Sequence, residues 1–217
     1  MLHRHYVRAL LAASPAWLFA ALYAQPWYRD GHRRWLDEIP VKADEHVLEV
    51  GCGPGLLTRE LGARGCNATG VDRSPRMLRY ARRRSASAEN VVFHRAAAQA
   101  LPFADGTFDV ALAASLINIA DDPPAVAREL ARVTRGGGRV SLLVPGRAMS
   151  RESAEAYIAA HRLNGLGAEL LRTWASYAPK SDAADLIALL REAGLGRPVV
   201  RDYLDGQLLA ATVENPG

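Results

Sequence analysis

The run Val47-Leu48-Glu49-Val50-Gly51-Cys52-Gly53-Pro54-Gly55 constrains this chain more than any other stretch. Val47, Leu48 and Val50 write a short buried strand, and the glycines that follow let the main chain turn tightly and approach a bound molecule with no Cβ in the way. Leu56 to Ala63 then reads as a helix. A second strand, Asn67 to Val71, ends at Asp72, where a carboxylate can accept both hydroxyls of a ribose. Strand, acid, turn, helix, strand and acid in that order predict a cradle for a nucleoside.

The glycine spacing separates two kinds of cradle. A dinucleotide turn follows G-x-G-x-x-G and sets a pyrophosphate on the first amides of the helix. Here the pattern is G-x-G-x-G, and Glu49 stands one residue inside the strand end. An acid at that point suits a cationic amino group better than a diphosphate.

Two further runs join the first: Gly70-Val71-Asp72-Arg73-Ser74, and Leu101-Pro102-Phe103-Ala104-Asp105-Gly106-Thr107-Phe108-Asp109. Together they resemble class I S-adenosylmethionine-dependent methyltransferases, over about Val41 to Val144. The third run is the most specific, and it is similar to the small-molecule branch that includes quinone and sterol methyltransferases. The resemblance implies an α/β fold: a Rossmann-like, doubly wound seven-stranded sheet, mostly parallel, with an antiparallel last strand and helices on both faces. It also implies S-adenosylmethionine as the cofactor. Glu49 would then lie near the methionine amino group, the amides of Gly51 and Gly53 against the amino-acid moiety, and Asp72 on the ribose. Cys52 and Gly55 belong to the same turn, Arg73 and Met77 would flank the adenine, and Ala97, Ala98 and Gln99 fall at its edge. In many relatives an acid four residues before the Leu-Pro-Phe run accepts from the adenine amine; this chain has Ala97 there, so main-chain atoms or Gln99 must read that edge.

The remaining pattern alternates strands and helices, as a parallel doubly wound sheet requires. Strands are expected at Val91 to His94, Phe108 to Ala113 and Arg139 to Val144. Asp121-Asp122-Pro123-Pro124 opens a helix over Ala125 to Thr134, which Gly136-Gly137-Gly138 ends. The same four residues superficially match the Asp-Pro-Pro-aromatic motif of base-amino methyltransferases. They stand too far beyond Ala113, and Ala125 occupies the aromatic position, so helix capping is the better reading. Ser181-Asp182 caps a helix from Ala183 to Ala193, and Val199 to Leu204 with Leu208 to Val213 form a terminal hairpin around Asp205-Gly206.

With 217 residues, 49% of them apolar, the chain suits one α/β domain with a full core. Its two cysteines, Cys52 and Cys66, make neither a disulfide framework nor a zinc spacing, which points to a reducing, cytoplasmic compartment and no metal. Cys52 reads as a small buried residue. Net charge is +4, and Arg73, Arg76, Arg79, Arg82, Arg83 and Arg84 crowd one helical stretch. No stacking aromatics accompany them, so a solvated face is expected rather than a nucleic-acid groove.

Residues 1–40 are read as an N-terminal helical lid on a cofactor domain spanning 41–217. Val7, Leu10, Leu11, Ser14, Leu18, Ala21 and Leu22 fall at helical spacing, and Trp17, Phe19, Tyr23, Trp27 and Tyr28 add bulk. His3, Arg4, His5 and Arg8 before the apolar run resemble the start of a signal peptide, but no small-x-small cleavage site follows, and Pro15 and the short span argue against a spanning helix. Contact of this helix with a membrane surface is the alternative to the lid. A helical insertion at about 147–179, patterned by Tyr157, Ile158, His161, Leu163, Leu170, Leu171 and Trp174, is expected over the same edge as a second lid.

Methyl transfer from a sulfonium is an in-line displacement that gains most from alignment and exclusion of water. An alcohol or phenol acceptor also wants a base. The available groups are His32, His94 and His161, with Tyr28 and Tyr157 for positioning, and Ser115 and Asn118 beyond the fourth strand as lining. The chain therefore reads as a methyltransferase acting on a small apolar or aromatic molecule. Two other readings compete: a noncatalytic scaffold on the same fold, and a nicotinamide-dependent oxidoreductase.

Overall fold

The computed structural model describes residues 15–217. Helices α1 (Pro15–Tyr23) and α2 (Pro26–Glu38) precede β1 (His46–Val50), α3 (Leu56–Ala63), β2 (Asn67–Asp72), α4 (Pro75–Arg84), β3 (Val91–Arg95) and β4 (Phe108–Ala114). After a single 3-10 turn at Ile117–Ile119 come α5 (Pro123–Val133), β5 (Thr134–Pro145), α6 (Arg151–Ala160), α7 (Gly165–Tyr177), α8 (Ala183–Glu192), β6 (Val199–Tyr203) and β7 (Leu208–Glu214). Val7, Leu10, Leu11 and Ser14 of the expected lid face, and the basic residues His3 to Arg8, lie outside the described residues.

One seven-stranded sheet runs in the order β3-β2-β1-β4-β5-β7-β6. The first five strands pair parallel, and β7 lies antiparallel between β5 and β6. Because β1 pairs with β2 on one side and with β4 on the other, the chain leaves it in opposite directions, and a crevice opens past its carboxyl end. That crevice is where the glycine turn sits.

The strands are covered on both faces, so their residues alternate between two cores. Val47, Val110, Leu112 and Leu143 pack with Trp35, Leu36, Leu61 and Leu78 from α2, α3 and α4. Leu48, Val50, Ala111 and Val140 pack against Val126, Leu130, Leu186 and Leu190 from α5 and α8. Local signals start these helices: Asp122 Oδ1 accepts from the Ala125 amide at 2.9 Å, and Asp182 Oδ1 from the Asp185 amide at 2.9 Å. On α4, Met77, Leu78 and Ala81 turn inward and the arginines outward, with Arg82 reaching the Phe93 carbonyl at 2.9 Å.

The glycine triplet behaves differently from the expectation. Helix α5 stops at Val133, and Gly136, Gly137 and Gly138 lie inside β5. Phe108 pairs with Thr134 but Val110 pairs with Arg139, so the glycines take up the extra residues in a bulge at the strand's entry. Thr134 is already extended, which ends the helix before the first glycine.

Helix α2 is held from three sides. Trp35 Nε1 donates to Ser141 Oγ at 2.8 Å, Tyr203 Oη donates to Glu38 at 2.8 Å, and Arg33 Nε meets Glu60 of α3 at 2.9 Å. Helix α1 is tied to the same Glu60 by the Tyr23 hydroxyl at 2.6 Å. Arg172 joins α7 to α6 with two bonds to Glu155, at 2.8 and 2.9 Å. Among the described residues no helix is long and apolar enough to cross a membrane.

Candidate active site

A cavity of about 280 Å³ occupies the crevice beyond β1. Its floor is the glycine turn, with Glu49 from β1, Asp72 from β2, and Ser115 and Leu116 from the end of β4. Met77, Ala98 and Gln99 also line it, and Phe19, Tyr23, Tyr28 and His32 from α1 and α2 give it an aromatic wall. Ile119 and Arg73 stand at the rim, where Arg73 meets Asp121 at 3.7 Å in solvent.

Each acid is held by main-chain or side-chain donors. Asp72 Oδ2 accepts the Gly53 amide at 2.9 Å and Oδ1 the Ser74 amide at 2.8 Å. Glu49 is buried and takes the hydroxyl of Thr58, one turn into α3. Burial pushes the Glu49 carboxyl up to about 8, although hydrogen bonds from Thr58 pull the other way. Ser115 adopts a φ of 52°, and its Oγ is buried with no hydrogen-bond partner.

The wall is aromatic. The His32 ring stacks on Tyr28 with centroids 4.2 Å apart, Tyr23 crosses both edge-on at 5.9 and 6.1 Å, and Trp174 of α7 backs Tyr28 at 5.2 Å. His32 Nδ1 lies 2.9 Å from the Tyr28 carbonyl and therefore donates to it. Burial lowers the His32 imidazole to about 4, so it is neutral at physiological pH. Burial also raises the Tyr28 and Tyr23 phenols, keeping both protonated.

Residues 48–142 match the model of the family described as methyltransferase domain. The ubiquinone biosynthesis O-methyltransferase of Ralstonia nicotianae is 32% identical over 168 residues, covering 74% of this chain and 67% of the relative. The chain belongs to the S-adenosylmethionine-dependent methyltransferases. The demethylmenaquinone methyltransferase of Tropheryma whipplei is 38% identical over 102 residues, 47% of this chain and 42% of that protein. Against several other curated relatives of this methyltransferase family the match likewise spans about half their length, 47% in one ubiquinone O-methyltransferase. A solved S-adenosylmethionine-dependent methyltransferase from Aquifex aeolicus superposes with a TM-score of 0.69 at 18% identity, over 93% of this chain and 98% of that one, and shows the common fold.

The methyltransferase motifs and the cavity coincide at Glu49, Gly51, Cys52, Gly53, Asp72, Arg73, Met77, Ala98, Gln99 and Ser115, all of which line it. Several expectations are corrected. The Gly51 amide is spent on the Val71 carbonyl at 2.8 Å and the Gly53 amide on Asp72, so neither is free for an amino-acid moiety. What Gly53 offers is space: a Cβ there would meet nothing within 4 Å. Gly55 and Ala97 do not line the cavity. Gly55 is the left-handed N-cap of α3, where a Cβ would sit 2.7 Å from the Phe93 ring, and Ala97 is turned into a bridge with Ala100.

The polar candidates also divide. His32 and Tyr28 face the cavity. His94 packs edge-on to Phe103, His161 stacks on Tyr157 and pairs with Asp205 at 3.2 Å, and Asn118 donates to the Pro179 carbonyl at 3.1 Å; none of these four lines it. The segment after β5 supplies no lining residue, so Trp174 supports the wall from behind rather than forming a second lid. Thr58 had no assigned role in the sequence, although it stands one helical turn beyond Gly55, where a hydroxyl can reach the strand end.

Proposed function

We propose that this protein transfers a methyl group from S-adenosylmethionine to a small aromatic acceptor of quinone type. The observation that carries the reading is the pairing of Glu49 and Asp72 at the carboxyl ends of two adjacent strands, both lining one cavity that also has an aromatic wall. Bound there, the cofactor supplies an electrophilic methyl on a sulfonium.

The residues present fit that group. Two acidic side chains and a neutral histidine leave the interior without a competing cation, the Ser115 hydroxyl is an orphaned buried polar atom, and Gly53 leaves room where a side chain would intrude. Glu49 is suited to hold the ammonium, Asp72 the ribose hydroxyls, and Met77, Ala98 and Gln99 the adenine, while Arg73 covers it at the rim. Tyr23, Tyr28 and His32 exclude water and give a flat acceptor ring an apolar face. Relatives named for ubiquinone and demethylmenaquinone methylation support an acceptor of that chemistry.

We place the protein in the cytoplasm, with the exposed Phe19 and Ile119 at the cavity mouth and the arginine face of α4 beside α1 turned toward an anionic membrane surface that supplies an apolar acceptor. The decisive experiment incubates the protein with isotope-labelled methyl donor and a panel of catechols and quinols. Labelled product is expected, with S-adenosylhomocysteine binding in calorimetry; no binding at millimolar ligand overturns the reading.

A further inference from the structure

We propose that His32 is the residue that selects the acceptor, its Nε2 taking a hydrogen bond from a hydroxyl on the aromatic ring, so that the site accepts phenols, catechols and quinols and turns away their ethers and the oxidised quinones. The inference rests on the reading above and adds to it which chemical form of the ring is bound.

The argument begins with the two nitrogens. Nδ1 faces the Tyr28 carbonyl at 2.9 Å, a partner with lone pairs only, so the proton of the neutral ring resides on Nδ1. Nε2 is left as a bare acceptor, and it has no partner among the described residues, while the side chain lines the cavity. The other tautomer would set the Nδ1 lone pair against the same carbonyl, and turning the ring over would replace the Nδ1–H bond with a carbon, so both lose the bond to Tyr28.

The surroundings keep it in this form. Trp35 and Tyr23 cross the ring edge-on, at 6.4 and 5.9 Å, and the residue is 2% exposed. The charged group beside it is Glu60, already bonded by Tyr23, Arg33 and Arg64, and Glu49 lines the same cavity. A ligand that displaces water from this acceptor must bring a donor, since an unmade bond in such a place is more costly than a made one is favourable. Ring ethers and quinone carbonyls bring only lone pairs. Such a ring leaves Nε2 without a partner, and this makes His32 the group that discriminates.

The test compares two probes, catechol and its dimethyl ether veratrole, by calorimetry on the full chain saturated with S-adenosylhomocysteine. The wild type is expected to bind catechol at least about tenfold tighter than veratrole. In His32→Phe, which keeps a flat ring against Tyr28, the two probes should bind within about twofold of each other, with the affinity for S-adenosylhomocysteine unchanged. Equal affinities in the wild type, a preference that survives in the variant, or no binding of either probe overturns the inference. Wild-type protein that binds catechol selectively but no S-adenosylhomocysteine instead sinks the methyltransferase reading alone. Should the variant not fold, nitrogen NMR of the wild type decides: the His32 Nε2 resonance is expected to move on adding catechol and to stay put on adding veratrole, and equal responses reject the idea.

Discussion

Asp72 Oδ2 accepts the amide of Gly53 at 2.9 Å, so the acid at the end of β2 shapes the turn at the end of β1. Its other oxygen takes the Ser74 amide at 2.8 Å, and the remaining lone pairs are left for a ligand in the cavity. In Asp72→Asn one of the two acceptor oxygens becomes a donor opposed to an N–H. S-adenosylhomocysteine affinity should fall at least about tenfold, roughly 1.4 kcal/mol, and the thermal midpoint should fall too, because one of the two amide bonds is lost. Calorimetry and a melting curve check both; wild-type affinity would remove Asp72 from the ribose.

Glu49 makes a prediction about protons. Its carboxyl is raised to about 8, so between about 4.5 and 8 the folded chain holds a proton that the unfolded chain has released. Its contribution to stability is therefore fully present below that window, declines as pH rises through it, and is flat above 8. Glu49→Gln should flatten this part of the stability profile. An ammonium group beside the carboxyl favours the ionised form, so ligand binding at pH 7 should expel up to about one proton. Calorimetry in two buffers of different ionisation heat measures that number, and zero release in the wild type contradicts the assignment.

The aromatic wall depends on a contact with the sheet. Trp35 Nε1 donates to Ser141 Oγ at 2.8 Å, and Ser141 Oγ lies 2.6 Å from Thr212 Oγ1, which links α2 to β5 and β7. Trp35→Phe removes the donor and leaves a void in a fully buried position, at a cost of about 1–3 kcal/mol. Amides of residues 26–38 should exchange faster with solvent while those of β1 and β2 keep their protection. Uniform loss of protection would mean that α2 is part of the same cooperative unit as the sheet.

The sheet and the glycine turn with its two acids were legible because they are local: a strand, its acid and its glycines are consecutive, and the near-continuous apolar runs of β1 and β4 follow from burial on both faces. The family resemblance supplied the antiparallel placement of β7. What escaped was tertiary. Nothing in the spacing of Gly51 and Gly53 says that their amides are consumed by Val71 and Asp72. Nor does it say that His32 rather than His161 reaches the cavity, since both stack on a tyrosine four residues earlier in the chain. The glycine triplet misled because a helix stop and a bulge call for the same residue.

Ser115 carries two costs in one place. Its φ of 52° is a conformation that serine occupies at a penalty of about 1 kcal/mol or more, and its Oγ is buried without a partner, which costs about 1–3 kcal/mol. Both fall at the end of β4, where Ser115 N is fixed by the Leu143 carbonyl at 2.7 Å and the side chain lines the cavity. Ser115→Ala removes the orphaned hydroxyl, so the thermal midpoint should stay level or rise. If that hydroxyl is completed by the cofactor, S-adenosylhomocysteine affinity should drop several-fold in the same variant, up to about tenfold. Ser115→Gly relieves the backbone as well and should be the more stable of the two. A variant that gains stability and loses no affinity would assign the strain to the turn alone, with no contribution to the ligand.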